Sequence, residues 1–135
     1  ENIIVTPHMK EMSRLTGIQI EEIKENPIRA AREFADQYGV VCVLKDAATV
    51  IAGRDGKTFV NGSGTPAMAK GGSGDVLTGV IAGLIALGLK ESDAASLGVY
   101  VHGLAGEKAA KRFGVHAVLA GEIADCLSED RENGI

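Results

Sequence analysis

The sequence predicts an α/β protein, with a mostly parallel sheet that includes a hairpin and is flanked by helices. Three observations support this prediction. Two short, continuous apolar runs near the start of the chain are separated by helical periodicity, which is typical of buried parallel strands joined by a crossover helix. An Asp-Gly pair lies between two β-type runs, as in a hairpin. The second half of the chain is dominated by helical patterns.

The first predicted elements are two strands with helices between them. Residues 3–5 (Ile-Ile-Val) form the first strand, and a short helix follows over residues 8–15. A second helix is expected over residues 27–38, because Asn26 is a good N-cap, a proline occupies the first helical position and a glycine ends the periodic segment. Residues 40–44 then form the second buried strand, parallel to the first.

A hairpin and three helices are predicted for the rest of the chain. The hairpin pairs residues 49–52 with residues 57–60. The helices cover about residues 75–87, 92–113 and 116–127, with Ser92 as the N-cap of the middle one. Small residues follow one side of the first of these helices, which predicts close packing against a neighbouring element; they are Gly79, Ala82, Gly83 and Ala86.

A glycine-rich segment, residues 62–74, leads directly into the first of these three helices. Glycines lose much backbone entropy on folding, so a dense group of them suggests that bare backbone approaches a ligand closely. The helix N-terminus that follows offers free N–H groups and the positive end of the helix dipole. Together these features predict an anion site, most often one for phosphate.

Asp75 follows this segment and is predicted to be a general base. A carboxylate repels phosphate, but it can accept the proton of a hydroxyl that lies beside a phosphoryl group. The alternative is a turn in which Asp75 is only the N-cap of the helix. Two better-known phosphate motifs do not fit. Lys70 lacks the neighbours that a Walker A loop requires, and Pro66 interrupts the dinucleotide-binding pattern.

Three segments of the chain resemble motifs of the ADP-dependent NAD(P)H-hydrate dehydratases, a family with the ribokinase-like fold. Residues 61–79 include Gly-Thr-Pro-Ala-Met-Ala-Lys-Gly-Gly-Ser-Gly-Asp-Val-Leu-Thr-Gly, which is similar to the family's Gly-Asn-Pro-Gly-Met-Ala-Thr-Gly-Gly-x-Gly-Asp-Val-Leu-Thr-Gly. Residues 6–12 look like Thr-Pro-His-Pro-Gly-Glu-Met, and residues 44–49 look like Leu-Lys-Gly-Ala-x-Thr. The motifs occur in the family's order, and the resemblance runs from residue 3 to about residue 125.

The resemblance implies an ADP-dependent dehydration of (S)-NAD(P)H hydrate that returns NAD(P)H and releases AMP and phosphate. ADP, or ATP, would be the phosphoryl donor, with Mg2+ carried by the nucleotide. Asp75 would deprotonate the hydroxyl of the hydrate, and His8 and Asp75 would contact this substrate. Glu11 occupies the place where related kinases keep a glutamate that acts on magnesium. The nucleotide would be bound by Lys45, Asp46, Ala47, Ala48, Thr49, Asn61, Gly71, Gly72, Ser73 and Gly74.

Some of these residues also have structural explanations. Lys45 could be a solvated amine at a strand end, and Glu11 an ordinary acid in the first turn of a helix. Without the resemblance, His8 would be interpreted as a solvent-facing residue at a helix start. Two histidines outside the motifs are expected to be structural, His102 as a core or interface residue and His116 as an exposed residue near a helix start.

The chain departs from the family motifs at several positions. Asp46 replaces a glycine and adds a negative charge where the family places the nucleotide, and Lys70 replaces a threonine and could offset that charge. Thr65 and Ala67 replace an asparagine and a glycine.

The motifs match only the second half of the family's domain. Residues 1–135 are therefore expected to be the C-terminal half of a dehydratase domain, with the N-terminal half supplied in cis or by a second chain.

Composition limits the partners. A formal net charge of −4 without a Lys/Arg cluster argues against nucleic acid. The longest apolar stretch, residues 76–89, is too short to span a membrane, and the start of the chain lacks the basic residues of a signal peptide. Cys42 and Cys126 form neither a disulfide framework nor a metal motif, so buried thiols in a reducing cytoplasm are expected. A homo-oligomer is expected as well.

Two other functions stay open at this point. A ribokinase-like kinase of a small alcohol or vitamin precursor would use the same loop and Asp75, but it would keep the phosphorylated product. A catalytically silent half-domain would act only in assembly, which the missing first half of the family motifs and the charge of Asp46 both allow.

Overall fold

The computed structural model describes residues 2–69 and 71–129. A short 3-10 helix, Pro66–Met68, lies between the last strand and the long helices. The other elements are, in chain order, β1 (Ile4–Val5), α1 (Met9–Thr16), α2 (Ile20–Glu25), α3 (Pro27–Tyr38), β2 (Val41–Leu44), β3 (Thr49–Ala52), β4 (Thr58–Asn61), α4 (Ser73–Ala86), α5 (Glu91–Phe113) and α6 (Ala120–Glu129).

The strands form one mixed sheet in the order β1-β2-β3-β4. β1 and β2 are parallel, with Val5 opposite Cys42, and the first three helices make the crossover between them. β2 and β3 are antiparallel, because residues 45–48 between them are too few for a crossover. β3 and β4 form the expected hairpin, whose turn contains Gly56 with a φ of 80°. The α/β class is confirmed, with a smaller parallel share than expected in these residues.

Helices cover both faces of the sheet. Every residue of β2 is buried, and its side chains alternate between two apolar clusters. Cys42 and Leu44 belong to the cluster formed with α1, α2 and α3, whereas Val41 and Val43 belong to the cluster formed with α4 and α5. A third cluster joins α5 to α6 around Ile123. Burial on both faces explains why this strand has a continuous apolar sequence.

Several helix boundaries differ from the predictions. α2 is an additional helix, and its six residues give too little periodicity to identify it from sequence. α5 begins with Lys90 rather than Ser92 as its N-cap. α6 begins at Ala120, four positions later than expected from residue 116, because a turn precedes it in which Ala117 N donates to Gly114 O at 3.1 Å.

The side of α4 that carries the small residues is exposed to solvent. Gly79, Ala82, Gly83 and Ala86 are all exposed, and a Cβ added at either glycine would meet no atom within 4 Å. Another side of the helix carries Leu77 into the core. The predicted close packing of the small residues is therefore wrong within the described residues.

The two cysteines are buried thiols and do not form a disulfide. Burial raises the pKa of Cys42 to about 12, so this thiol stays protonated at neutral pH. None of the helices in residues 2–69 and 71–129 has the length and apolar character needed to cross a bilayer.

Arg32 connects α3 to the hairpin. Its guanidinium donates to Gly53 O at 2.6 Å and to Lys57 O at 3.1 Å. It also pairs with Asp36 one turn further along α3, at 2.7 Å. Since Gly53 is buried, its carbonyl group depends on this donor more than an exposed carbonyl would.

We expect Arg32→Ala to lower the free energy of unfolding by about 2–3 kcal/mol, because a buried carbonyl loses a charged donor. Urea denaturation of the full chain measures this loss. Arg29→Ala is the matched control, since Arg29 pairs with Glu33 on the exposed side of the same helix, and such pairs contribute little. Similar losses in both variants would contradict the assigned role of Arg32.

Candidate active site

An open cleft of about 700 Å³ lies at the carboxyl ends of β1 and β2. His8 follows β1 and Lys45 follows β2, and the two residues are paired as an isolated parallel bridge. The backbone N–H of Lys45 donates to Pro7 O at 2.9 Å. Two parallel strands therefore end side by side at the cleft, which is the edge where α/β sheets commonly bind ligands.

Many of the predicted site residues line this cleft. They come from the start of α1, from the connection between β2 and β3, from the end of β4 and from the first turn of α4. Ala48, Gly71, Gly72 and Asp75 are not part of the cleft wall. The roles of all the predicted site residues, on the wall or outside it, stay predictions. The predicted residues on the wall are His8, Lys45, Asp46, Ala47, Thr49, Asn61, Ser73 and Gly74.

The first turn of α4 contributes directly to the cleft wall. Gly72 is the N-cap of this helix, with a φ of 88°, and Ser73 is its first residue. Asp75 is therefore the third residue of the helix, and its interpretation as an N-cap is wrong. The first N–H groups of a helix have no intrahelical acceptor, so free donors and the positive end of the dipole meet the cleft at Ser73 and Gly74.

Lys45 adds a full positive charge at the same place. A Cβ on Gly74 would lie 3.1 Å from Lys45 Nζ, so the ammonium rests against the first turn of α4. An ammonium beside a helix N-terminus attracts an anion such as phosphate. Asp46 is exposed at the edge of the cleft, and Lys70, its expected counter-charge, lies outside the described residues.

His8 and Glu11 form a reciprocal capping box at the start of α1. Glu11 N donates to His8 Nδ1 at 3.1 Å, and His8 N donates to Glu11 Oε2 at 2.8 Å. Since Nδ1 is an acceptor, neutral His8 carries its proton on Nε2. The hydrogen bond from the His8 backbone lowers the pKa of Glu11, although desolvation opposes this shift; positive charge on His8, Lys45 and Arg14 lowers the pKa further. Glu11 thus acts as a capping acid of the first turn.

The segment between β4 and α4 forms another wall of the cleft and is fixed to α5. Ser63 Oγ donates to Tyr100 O at 3.1 Å. Gly64 N donates to Glu107 Oε1 at 2.8 Å. Asn61 Nδ2 donates to Ser63 O at 3.2 Å, so the end of β4 is tied to the same segment. These contacts fix the wall of the cleft to α5 and to the end of β4.

Two glycines of α5 make room for this segment. A Cβ on Gly103 would overlap Ser63, and a Cβ on Gly106 would overlap Met68. Glycines in a helix interior indicate close approach of another chain segment, so the sequence contained this signal. The cleft residues that the sequence did not predict as site residues are Ser63, Gly64, Thr65, Pro66, Met68, Ala69, Leu77, Val99, His102 and Gly103.

His102 of α5 lies on the inner wall of the cleft. Its side chain is buried, as expected of a core histidine, and its Nε2 is 3.4 Å from Ser73 Oγ. Burial lowers the pKa of His102; a hydrogen bond with the Ser73 backbone opposes this shift, and the charge of Lys45 adds to it. The net direction is downward, so the imidazole is neutral at neutral pH.

Comparisons with known proteins identify the family of this chain. A family model described as NAD(P)H-hydrate dehydratase matches residues 1–129. The bifunctional NAD(P)H-hydrate repair enzyme Nnr of Moorella thermoacetica is 47% identical over 125 residues, 93% of this chain and 24% of that protein. The ADP-dependent (S)-NAD(P)H-hydrate dehydratase of Bacillus subtilis is 39% identical over 125 residues, 93% of this chain and 45% of that protein. The chain thus spans about a quarter of the first relative and less than half of the second.

Solved structures show the same fold. The ADP/ATP-dependent NAD(P)H-hydrate dehydratase from Bacillus subtilis, co-crystallized with ATP/Mg2+, superposes with a TM-score of 0.93 at 37% identity, over 98% of this chain and 48% of that one. A ribokinase-like superfamily protein from Enterococcus faecalis superposes with a TM-score of 0.83 at 32% identity, over 96% of this chain and 44% of that one. The expected ribokinase-like fold is confirmed.

Proposed function

We propose, from the premise that this chain belongs to the NAD(P)H-hydrate dehydratase family, that it forms the nucleotide-binding part of an ADP-dependent (S)-NAD(P)H-hydrate dehydratase. One observation carries the proposal. The ammonium of Lys45 lies against the N-terminus of α4, at the edge where two parallel strands end. The cleft beside them has the charge and the free N–H donors that the phosphates of a nucleotide require.

In this proposal the nucleotide lies along the cleft. Its AMP part is held by Asn61 and by residues 45–49, which are Lys45, Asp46, Ala47, Ala48 and Thr49. The N–H groups of residues 71–74 hold the phosphoryl group that is transferred. This segment consists of Gly71, Gly72, Ser73 and Gly74. The exposed carboxylate of Asp46 would weaken binding of a phosphate placed near it, which makes ADP affinity a quantity to measure in this chain.

The proposed reaction couples phosphoryl transfer to elimination. Asp75 takes the proton of the ring hydroxyl, and that oxygen attacks the terminal phosphorus of ADP while the bond to the AMP oxygen breaks. The lone pair of the ring nitrogen then expels phosphate from the ring carbon. Loss of a proton from the adjacent ring carbon restores the dihydronicotinamide. The products are NAD(P)H, AMP and phosphate, and no oxidant or reductant is consumed.

Mg2+ fits this scheme as a companion of the nucleotide. Within the part of the chain that the structure describes, no three His, Cys, Asp or Glu side chains are grouped as metal ligands. Glu11 is already engaged by the His8 backbone. Magnesium in phosphoryl-transfer sites is held largely by phosphates and water, so a nucleotide in the cleft would supply the oxygens that the ion needs.

The substrate is proposed to bind on the exposed side of α4. Asp75 is exposed, and Gly79 and Gly83 follow it on the same side at helical spacing. This side has room for a ligand or for closely packed backbone. Since the relatives are more than twice as long as the matched region, we propose that polypeptide beyond these residues, in cis or from a second chain, covers this face and completes the hydrate site.

Location and assembly complete the proposal. Buried cysteine thiols are consistent with a reducing cytoplasm. Exposed apolar side chains on the edge strand β4, Phe59 and Val60, support association with a second copy. Light scattering of the purified protein would test the homo-oligomer.

The function is tested by supplying ADP and NADH hydrate and following the return of the NADH absorbance. We expect no activity from this chain alone, because none of the residues that the structure describes forms a substrate wall over the exposed face of α4. We expect ADP-dependent recovery when the preceding half of a relative's dehydratase domain is added in cis or in trans. Full activity of the 135-residue chain as a monomer would overturn the proposed division of the site.

The same assay separates the alternatives. Accumulation of a stable phosphorylated product, without return of NADH, would identify a kinase. Calorimetry that detects no ADP binding, to the chain alone or to the completed domain, would leave only a role in assembly and would refute the dehydratase.

A further inference from the structure

His102 and Ser73 form a buried polar pair behind the proposed phosphate site. Their exposed fractions are 7% and 6%, and both residues line the cleft. His102 Nε2 lies 3.4 Å from Ser73 Oγ, which is long for a hydrogen bond. The pair joins the middle of α5 to the first turn of α4.

The first turn of α4 is held from two sides. The imidazole of His102 contacts Ser73 from α5, and the ammonium of Lys45 approaches Gly74 from the end of β2. A buried polar group costs free energy unless it is hydrogen-bonded, so the energetic value of this histidine lies in its contact with Ser73.

We infer that His102 is a positioning residue of the proposed dehydratase: it fixes Ser73, and through Ser73 it directs the first N–H groups of α4 toward the nucleotide phosphates. The inference deepens the proposed function and rests on it. His102 itself touches neither the reacting hydroxyl nor the transferred phosphorus in this scheme. Its effect therefore depends on Ser73, which makes the two residues energetically coupled.

The test is a double-mutant cycle on ADP affinity, measured by calorimetry in the complete domain. We expect His102→Leu to weaken ADP binding by up to about tenfold, the upper end of the net contribution of one hydrogen bond. Ser73→Ala should weaken it by a smaller factor. The double variant should bind no more weakly than His102→Leu alone, because the second change removes a group that has already lost its partner. His102→Gln, whose amide can reach the position of Nε2, should stay within about threefold of wild type.

Two results would overturn the inference: ADP affinity of His102→Leu within twofold of wild type, or losses that multiply in the double variant. Circular dichroism identifies a variant that fails to fold, and His102→Asn, whose shorter amide does not reach Ser73, then takes the place of His102→Leu in the cycle. A wild-type domain that binds no ADP would overturn the proposed function together with this inference. Tight binding by wild type without coupling would overturn this inference alone.

Discussion

Asp75→Asn is expected to lower the turnover of NAD(P)H hydrate by at least about 10²-fold, the usual value of general-base assistance, while ADP binding persists. The amide keeps the size of the side chain but cannot accept the hydroxyl proton. The phosphate donors at Ser73 and Gly74 are backbone groups and are unchanged. The measurement is the rate of NADH return at saturating ADP in the domain completed with the preceding half of a relative, with ADP affinity determined by calorimetry.

The matched control for this variant is Asp93→Asn. Asp93 is the third residue of α5, as Asp75 is the third residue of α4, and it is also exposed. The two substitutions therefore change the same interaction with a helix dipole. Turnover by the Asp93 variant should equal that of wild type. If Asp75→Asn retains turnover within a few-fold of wild type, Asp75 has no part in proton transfer.

Gly74→Val is expected to abolish ADP binding. A Cβ added at this position would lie 3.1 Å from Lys45 Nζ. The branched side chain of valine would push the ammonium away and fill the space next to the first N–H groups of α4. Loss of two charge-assisted contacts to phosphate corresponds to at least about 10²-fold in affinity. Calorimetric titration with ADP measures the loss.

Gly121→Val makes the same change in another helix. Gly121 is exposed near the start of α6, and a Cβ there would meet no atom within 4 Å. Its ADP affinity should match wild type, which separates a local effect at the cleft from a general cost of valine in a helix. Unchanged ADP affinity in a folded Gly74→Val variant would refute the phosphate site at α4.

Local signals explain the elements that could be predicted from sequence. α3 has the predicted start and end, because Asn26 Oδ1 accepts from Arg29 N at 3.1 Å and Gly39 adopts a φ of 63°. Capping and turn preferences act over a few residues and are visible in the chain itself. The same holds for the hairpin and for the cleft residues that belong to the recognised motifs.

Long-range contacts explain what could not be predicted. His102 resembles other core residues in sequence, and only the packing of α5 beside α4 brings it to Ser73. The exposed side of α4 was also unpredictable, because small residues at helical spacing do not reveal whether a partner is present in the same chain. Asp75 combines both cases. Its motif can be identified from the local sequence, whereas its exposure to solvent is determined by the tertiary fold.

The cleft joins early and late parts of the chain, which would give a bound nucleotide a thermodynamic role besides its proposed role as reactant. His8 and Lys45 precede the hairpin, whereas Ser73 and His102 follow it, so one bound nucleotide would bridge parts of the chain that separate on unfolding. A ligand that binds only the folded state, at a free concentration 100 times its dissociation constant, adds about 2.7 kcal/mol to the free energy of unfolding. The phosphoryl donor would then also protect the protein against proteolysis, and its supply would influence how long the folded chain persists.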